Sequence, residues 1–427
     1  MSNTAPIDAG RPVPRALPNE QPAPLPKTVV VVGFGLMALS FMINAMDRQV
    51  FAPLLPIIRS EFGFSLSQSG LLATGFTLGL AVAGLPAGYL VDRFSRKTVL
   101  VVSIVIYSLG TLALSMSTGF LDMSVYRIVS GLGEGMQAAA LFAAVGAYFG
   151  RRRGFALGAV GFAFGLGVIL GPLLGVHVAA MFDSWRAPFV AFGVAGLAVA
   201  LISSFALSRG MTERDIKPTT VSGITFDYMP ASPFNRNSIC LAIASAIAGV
   251  VLYGFLGLYP TFLVSELKVS TAQSALALSF VGFGGLLGLV GGWLGDRVNQ
   301  RTLLIVGFVA VSVISIFIYQ VQATLGWQCL FAFVMGVFGT GVLFPNINSA
   351  MQRAVRPHQV GRAAGLFVTS YYGTAAFSGL TLGWLANTIG WRQAGFWQIT
   401  VLPLIGIAAL LFVRTDEFNN AARPAVH

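Results

Sequence analysis

The chain predicts an all-α membrane protein of twelve transmembrane helices arranged as two pseudo-symmetric six-helix bundles. Three observations carry this. Of 427 residues, 56% are hydrophobic and only 10% charged, against about 25% charged in soluble domains. Apolar runs of bilayer-spanning length recur along the whole chain, each able to cross as a helix. The second half repeats landmarks of the first in the same order and direction, the pattern of parallel repeats with a site between them.

Residues 1–27 are rich in proline and polar side chains and read as a disordered cytoplasmic tail. No cleavable signal precedes the first apolar run, so it is retained as span 1. The twelve spans are expected at 29–58, 67–91, 98–118, 123–149, 154–178, 186–207, 239–261, 272–295, 301–321, 326–350, 361–385 and 393–413. Span 1 is long enough for a short extension or for a break at Pro53 and Pro56. Pro260 and Pro345 can likewise kink their helices. The N-terminal bundle covers 28–207, the cytoplasmic linker 208–238, the C-terminal bundle 239–413, and a second tail 414–427. The linker mixes acids and bases, including Glu213, Arg214 and Asp215.

The net charge of +11 reports topology and anionic lipid contact, with no nucleic-acid partner implied. Lys and Arg concentrate in alternate loops (Arg93/Arg96/Lys97, Arg151–Arg153, Arg297/Arg301, Arg353/Arg356/Arg362), leaving Arg59, Arg186, Lys268 and Arg392 on the other side. By the positive-inside rule both termini are cytoplasmic, and the membrane is expected to be a bacterial inner membrane. Cys240 and Cys329 fall near opposite membrane faces, too far apart for a disulfide. His177, His358 and His427 are scattered, and no metal spacing, nucleophile triad or phosphate-cradling loop is present. The chain is therefore expected to be no enzyme and to need no cofactor beyond protons as coupling ion.

Four charges sit deep in the spans: Asp47 and Arg48 in span 1, Arg127 and Glu134 in span 4. Each costs ~2.5–3.5 kcal/mol at the bilayer centre, so such groups normally face a pathway or a partner. The set is neutral. Arg127 and Glu134 are seven residues apart, nearly two turns, and share a face about 10 Å apart along the axis. Arginine stays charged and grips a carboxylate with two donors. If it moves onto a substrate anion, the acid it leaves is freed to take a proton. Two readings stand: a transport site for an anion and protons, or a salt-bridge lock between helices. The C-terminal half offers no ionisable group at this depth. Its polar candidates are Tyr253, Asn346, Asn348, Ser370, Tyr371, Tyr372 and Asn387, with Asn44 adding to them from span 1.

The repeated landmarks are Ser60-Glu61/Ser65/Gln68-Ser69 with Ser265-Glu266/Ser270/Gln273-Ser274, and Gly88-x3-Asp92-Arg93-x2-Arg96-Lys97 with Gly292-x3-Asp296-Arg297-x3-Arg301. The second pair resembles the loop 2–3 and 8–9 motif of the major facilitator superfamily, with Ser95 and Asn299 where glycine is usual. The resemblance covers the whole chain and implies that superfamily's fold, with Gly88, Asp92, Arg93, Arg96, Asp296 and Arg297 as a gating motif that latches the cytoplasmic seam. Met46-Asp47-Arg48, Arg127-x6-Glu134 and the Tyr253-to-Pro260 stretch resemble the anion:cation symporter family within it. That likeness implies proton coupling at Asp47 and Glu134 and substrate contacts at Arg48 and Arg127.

The expected function is proton-coupled symport of a small organic anion, a carboxylate such as a sugar acid or an aromatic acid, by alternating access in a monomer. The alternative is a proton-driven exporter or a spinster-like lysolipid or amphiphile carrier. Gly167-x3-Gly171-Pro172-x2-Gly175 in span 5 resembles the antiporter motif of drug exporters, and equally serves close helix packing.

Overall fold

The computed structural model describes residues 25–149, 153–213, 230, 232, 234–321, 324–356 and 359–418. Most of the two tails and of the 208–238 linker lies outside these residues, and helix already begins at Lys27. All regular structure among the described residues is helical. The crossing helices are α1 Lys27–Phe62, α2 Leu66–Arg93, α3 Arg96–Ser115, α4 Phe120–Tyr148, α5 Arg153–Met181, α6 Ala187–Ala206 and α7 Arg236–Glu266. They continue with α8 Thr271–Arg297, α9 Gln300–Gln320 and α10 Leu325–Arg353. The remaining apolar stretch, Arg362–Leu411, is 50 residues long, about 75 Å of helix and far more than one ~30 Å crossing. It turns back at Gly390, whose φ of 82° is left-handed. We call its arms α11 (360–389) and α12 (391–411). The return is visible at both ends: Gln320, at the end of α9, donates to the Arg392 carbonyl, and Asn237, at the start of α7, donates to the Arg414 carbonyl. The chain thus crosses twelve times, as a multi-pass integral membrane protein.

Several local signals behave as their chemistry dictates. Ser65 with Gln68 and Ser270 with Gln273 form reciprocal capping boxes at the starts of α2 and α8, so the repeated serines and glutamines do the same work in each half. Ser95 and Asn299, where glycine is usual in the motif, are the N-caps of α3 and α9. Of the two options for span 1, the extension holds: α1 runs unbroken through Pro53 and Pro56 to a left-handed Gly63. Pro260 also lies within continuous helix. Pro345 is different. It follows a π-helical segment, Gly336–Leu343, and a second π segment, Phe396–Val401, runs into Pro403. A proline has no N–H for the carbonyl four residues back and its ring crowds that carbonyl, so the preceding turn widens.

Glycines set how closely the helices approach. A Cβ on Gly167, Gly171 or Gly175 of α5 would meet Met42 O, Met46 O or Val50 respectively, so this spacing seats α5 against α1 turn by turn. On α2 and α4, Gly79 lies against the Ile128 carbonyl and Gly131 against that of Phe76. Between the halves, Gly70 of α2 and Gly379 of α11 meet backbone to backbone, and Gly383 lies against Leu66. These contacts lie toward the face opposite the ends of the chain. There Thr74 Oγ1 donates to the Ala376 carbonyl (2.9 Å) and accepts from the Gly379 N–H (3.3 Å). It thereby serves the backbone where α11 loosens at 376–377.

Candidate functional site

The α1 face formed by Ser40, Asn44, Asp47 and Arg48 meets the α4 face formed by Arg127, Ser130, Glu134 and Gln137, all of them buried. Arg48 Nε donates to Glu134 Oε2 at 2.9 Å, an ion pair with both side chains less than a tenth exposed. Arg48 Nη2 donates to Asn44 Oδ1 (3.3 Å), Asn44 Nδ2 to Gln137 Oε1 (2.7 Å), and Gln137 Nε2 to Ser40 Oγ (3.0 Å). These four side chains and Glu134 thus form one continuous buried hydrogen-bonded network.

Asp47 points to α3 and α4. Its Oδ2 lies 2.5 Å from Thr111 Oγ1 and 3.2 Å from Ser130 Oγ, and the same Ser130 oxygen lies 3.2 Å from Glu134 Oε1. Ser130 therefore stands between the two acids. Thr111 Oγ1 also lies 3.0 Å from the Tyr107 carbonyl.

Arg127 bonds away from the acids. It makes no ion pair with either acid among the described residues. Instead Nε donates to the Leu72 carbonyl (3.1 Å) and Nη2 to that of Ala73 (3.0 Å). Its guanidinium lies 4.3 Å from the Phe51 ring and 4.6 Å from Phe76. Two turns separate it from Glu134 along α4, and the close α2–α4 packing at Gly79 and Gly131 brings the carbonyls of α2 nearer than any acid. Phe76 also faces Arg48, at 5.6 Å, so one ring stands between the two cations.

From the other half, Tyr253 lines one gap with Arg48, and its ring meets those of Phe76 and Tyr372. Tyr371 is buried and touches Tyr253 and Tyr372 by its ring edge. Asn346 and Ser370 are not brought to this cluster. Asn346 Nδ2 donates to the Gly291 and Val342 carbonyls, holding α10 against α8, and Ser370 donates back to the Phe367 carbonyl of its own helix. Where α1, α2 and α7 meet, Arg48, Gln49, Phe76 and Tyr253 leave a gap of about 10 Å³, room for one water. A separate apolar crevice of about 150 Å³ runs between α2, α4 and α11 past exposed Phe377 and reaches Arg127 from the side.

Sequence reasoning missed Ser40, Thr111, Ser130 and Gln137. Three were legible: Ser130 and Gln137 follow the i, i+3, i+7, i+10 face begun by Arg127, and Ser40 lies one turn before Asn44. Thr111 had no signal, because nothing in the chain says that α3 flanks α1.

At the chain-terminal end, the gating-motif residues divide. In the second half Asp296 pairs with Arg353 of α10 at 2.5 Å, largely exposed, and Arg297 lies over the Trp293 ring at 4.2 Å. In the first half the Asp92 side chain lies outside what the structure describes, and Arg93 contacts the Tyr89 hydroxyl. Arg96 donates to the Thr212 carbonyl at 3.3 Å. The loop is gripped by an acid the sequence reading placed only in the linker. Glu213 accepts from the Arg96 and Lys97 amides (both 3.1 Å) and from Ser95 Oγ (2.9 Å). Partial burial pushes its carboxyl up, but those amides and the Ser95 and Thr212 hydroxyls outweigh it and hold it below the ordinary glutamate value.

A family model described as "Major Facilitator Superfamily" matches residues 37–379 and 241–426. Among similar proteins, the hexuronate transporter of Bacillus subtilis (strain 168) is 26% identical, over 88% of this chain and 93% of its own. The cis,cis-muconate transport protein of Acinetobacter baylyi is 23% identical, over 91% and 95%. Among solved structures, a bacterial homologue of the human lysosomal transporter spinster, inward-facing and occupied, superposes with a TM-score of 0.70 at 18% identity, covering 91% of this chain and 97% of that one.

Proposed function

Because the chain belongs to the Major Facilitator Superfamily, we propose that this membrane transporter couples protons to the movement of a small organic anion, by symport. The observation that carries the proposal is the buried Arg48–Glu134 pair, linked through Ser130 to Asp47, at the seam between the halves. Arg48 is the anion receptor. A carboxylate arriving there competes with Glu134 for the guanidinium, and the released acid takes up a proton. The proton count of the network supports such an exchange. Ser130 has one hydroxyl proton but stands at hydrogen-bond distance from two carboxyl groups. Both contacts are satisfied when one carboxyl is protonated. Asp47, without an arginine partner, is the natural holder of that proton in the resting site, while Glu134 stays ionised against Arg48.

Arg127 takes a different role from the one expected. Tied to α2 by two carbonyls, it fixes the α2–α4 interface and lends positive potential to the site. The relatives named for hexuronate and muconate transport support an anionic cargo. The distribution of Lys and Arg supports cytoplasmic termini, and the bacterial relatives support a bacterial inner membrane. On that orientation, the Gly70–Gly379 and Thr74 contacts close the external side, and rocking of residues 28–207 against 239–413 opens the site alternately to either face.

Uptake of labelled carboxylates into proteoliposomes, with and without an inward proton gradient, tests the proposal. Uptake should require the gradient, and Asp47→Asn should abolish gradient-driven accumulation while sparing exchange. Undiminished accumulation by Asp47→Asn would remove the proton assignment, and gradient-driven efflux instead of uptake would replace symport with export.

A further inference from the structure

We infer that the cargo is an aromatic monocarboxylate, its carboxylate held by Arg48 and its ring held among Phe76, Tyr253 and Tyr372; this rests on the transport reading above. The observation is the chemistry that the C-terminal half presents to Arg48. Tyr253 of α7 meets Phe76 of α2 (centroids 6.0 Å), Tyr371 (6.0 Å) and Tyr372 (5.9 Å) of α11, and Phe344 of α10 meets both α11 tyrosines (5.1 and 6.4 Å). Most are edge-to-face. A continuous set of rings thus extends from the cation into the C-terminal half, drawn from four helices.

A sugar acid and an aromatic acid make opposite demands on such a wall. A sugar acid carries several hydroxyls, and each needs a partner to replace its water. Four buried amides of this half donate elsewhere. Asn346 serves the Gly291 and Val342 carbonyls, Gln398 the Ser378 carbonyl, Gln328 the Ile318 carbonyl and Gln300 the Ser349 hydroxyl. In the other half, Asn44 and Gln137 are bonded to each other. An aromatic ring needs no such donors, and it finds ring edges and faces in the arrangements that aromatic pairs prefer. Tyr253 shares one gap with Arg48, and Phe76 faces both the Arg48 guanidinium and the Tyr253 ring. A carboxylate on the guanidinium sets its ring beside Phe76, with the Tyr253 and Tyr372 rings next in the row.

Equilibrium binding of radiolabelled benzoate to the full chain in nanodiscs tests this, with galacturonate and cyclohexanecarboxylate as competitors. Benzoate should bind, galacturonate should not displace it, and cyclohexanecarboxylate should compete weakly for lack of a ring face. Tyr253→Leu and Tyr372→Leu should each weaken benzoate by ~10-fold or more, while Tyr253→Phe, which keeps the ring, should retain most of the affinity. Binding of galacturonate that benzoate fails to displace would overturn the aromatic assignment and leave anion transport standing. Equal competition by cyclohexanecarboxylate would overturn it too, by making the wall merely apolar. If neither acid binds and no carboxylate is taken up in proteoliposomes, the transport reading falls and the inference with it.

Discussion

The two halves are built alike at their ends and unlike at their centres. Both open their second helix with a serine–glutamine capping box and both cap their third helix with a short polar residue. At the core, however, helices α1–α6 bury Asp47, Arg48, Arg127 and Glu134, whereas no Asp, Glu, Lys or Arg of α7–α12 is buried among the described residues. The C-terminal half contributes rings instead, and its irregular π segments in α10 and α12. Symmetry of architecture is enough to make two bodies that rock. On the proposed coupling, this asymmetry of chemistry would let one half titrate while the other recognises a neutral body, because a second set of buried charges would bring its own desolvation cost without a second ion to move.

The contrast breaks most sharply at one arginine–acid pair from each half. Arg48→Ala leaves Glu134 buried without its partner and should cost ~3–5 kcal/mol of stability unless the acid protonates, along with all anion-dependent stabilisation. Arg353→Ala removes the exposed C-terminal pair with Asp296 and should cost no more than ~1 kcal/mol. Thermal unfolding with and without carboxylate reads both, and equal losses would mean that burial does not separate the two.

Next comes the seal between the halves. A side chain at Gly70 meets the Gly379 carbonyl, so Gly70→Val should disfavour closure at that face by ~1–3 kcal/mol. Gly373→Ala, on the same α11 but with open space around it, should change little. Cysteine-labelling accessibility at that face should rise in the first variant only.

A smaller effect tests the link between the acids. Ser130→Ala should destabilise by ~1 kcal/mol and change the pH profile of uptake, since the acids lose their shared hydroxyl. Ser370→Ala, whose hydroxyl serves only its own helix, should alter neither. An unchanged pH profile in Ser130→Ala would separate Asp47 from Glu134.

The smallest effect lies at the linker. Glu213 caps the α3 start from another segment, and its carboxyl is held below the ordinary value of 4.5. The folded value is depressed, so its contribution is complete above 4.5 and is lost as the pH falls through the folded value. Glu213→Gln should lower stability by ~1 kcal/mol at neutral pH, like loss of an N-cap, and the difference from wild type should shrink on acidification. A difference that grew on acidification would reverse the sign assigned to this cap.

Twelve crossings, the halves and the depth of the four charges were legible because membrane burial constrains composition residue by residue: an apolar run or a stranded charge declares itself without reference to its neighbours. Periodicity also put Arg127 and Glu134 on one face, where Ser130 and Gln137 fall as well. Pairing was another matter. That Arg48 takes Glu134 while Arg127 takes two α2 carbonyls, that Asp47 is met by Thr111 of α3, that Glu213 grips the first motif loop and that Asn346 turns toward α8 all depend on which helices adjoin and how closely glycine lets them pack. Those distances arise between segments far apart in the chain, and a guanidinium bonds to whichever acceptor the packed helices bring within 3 Å.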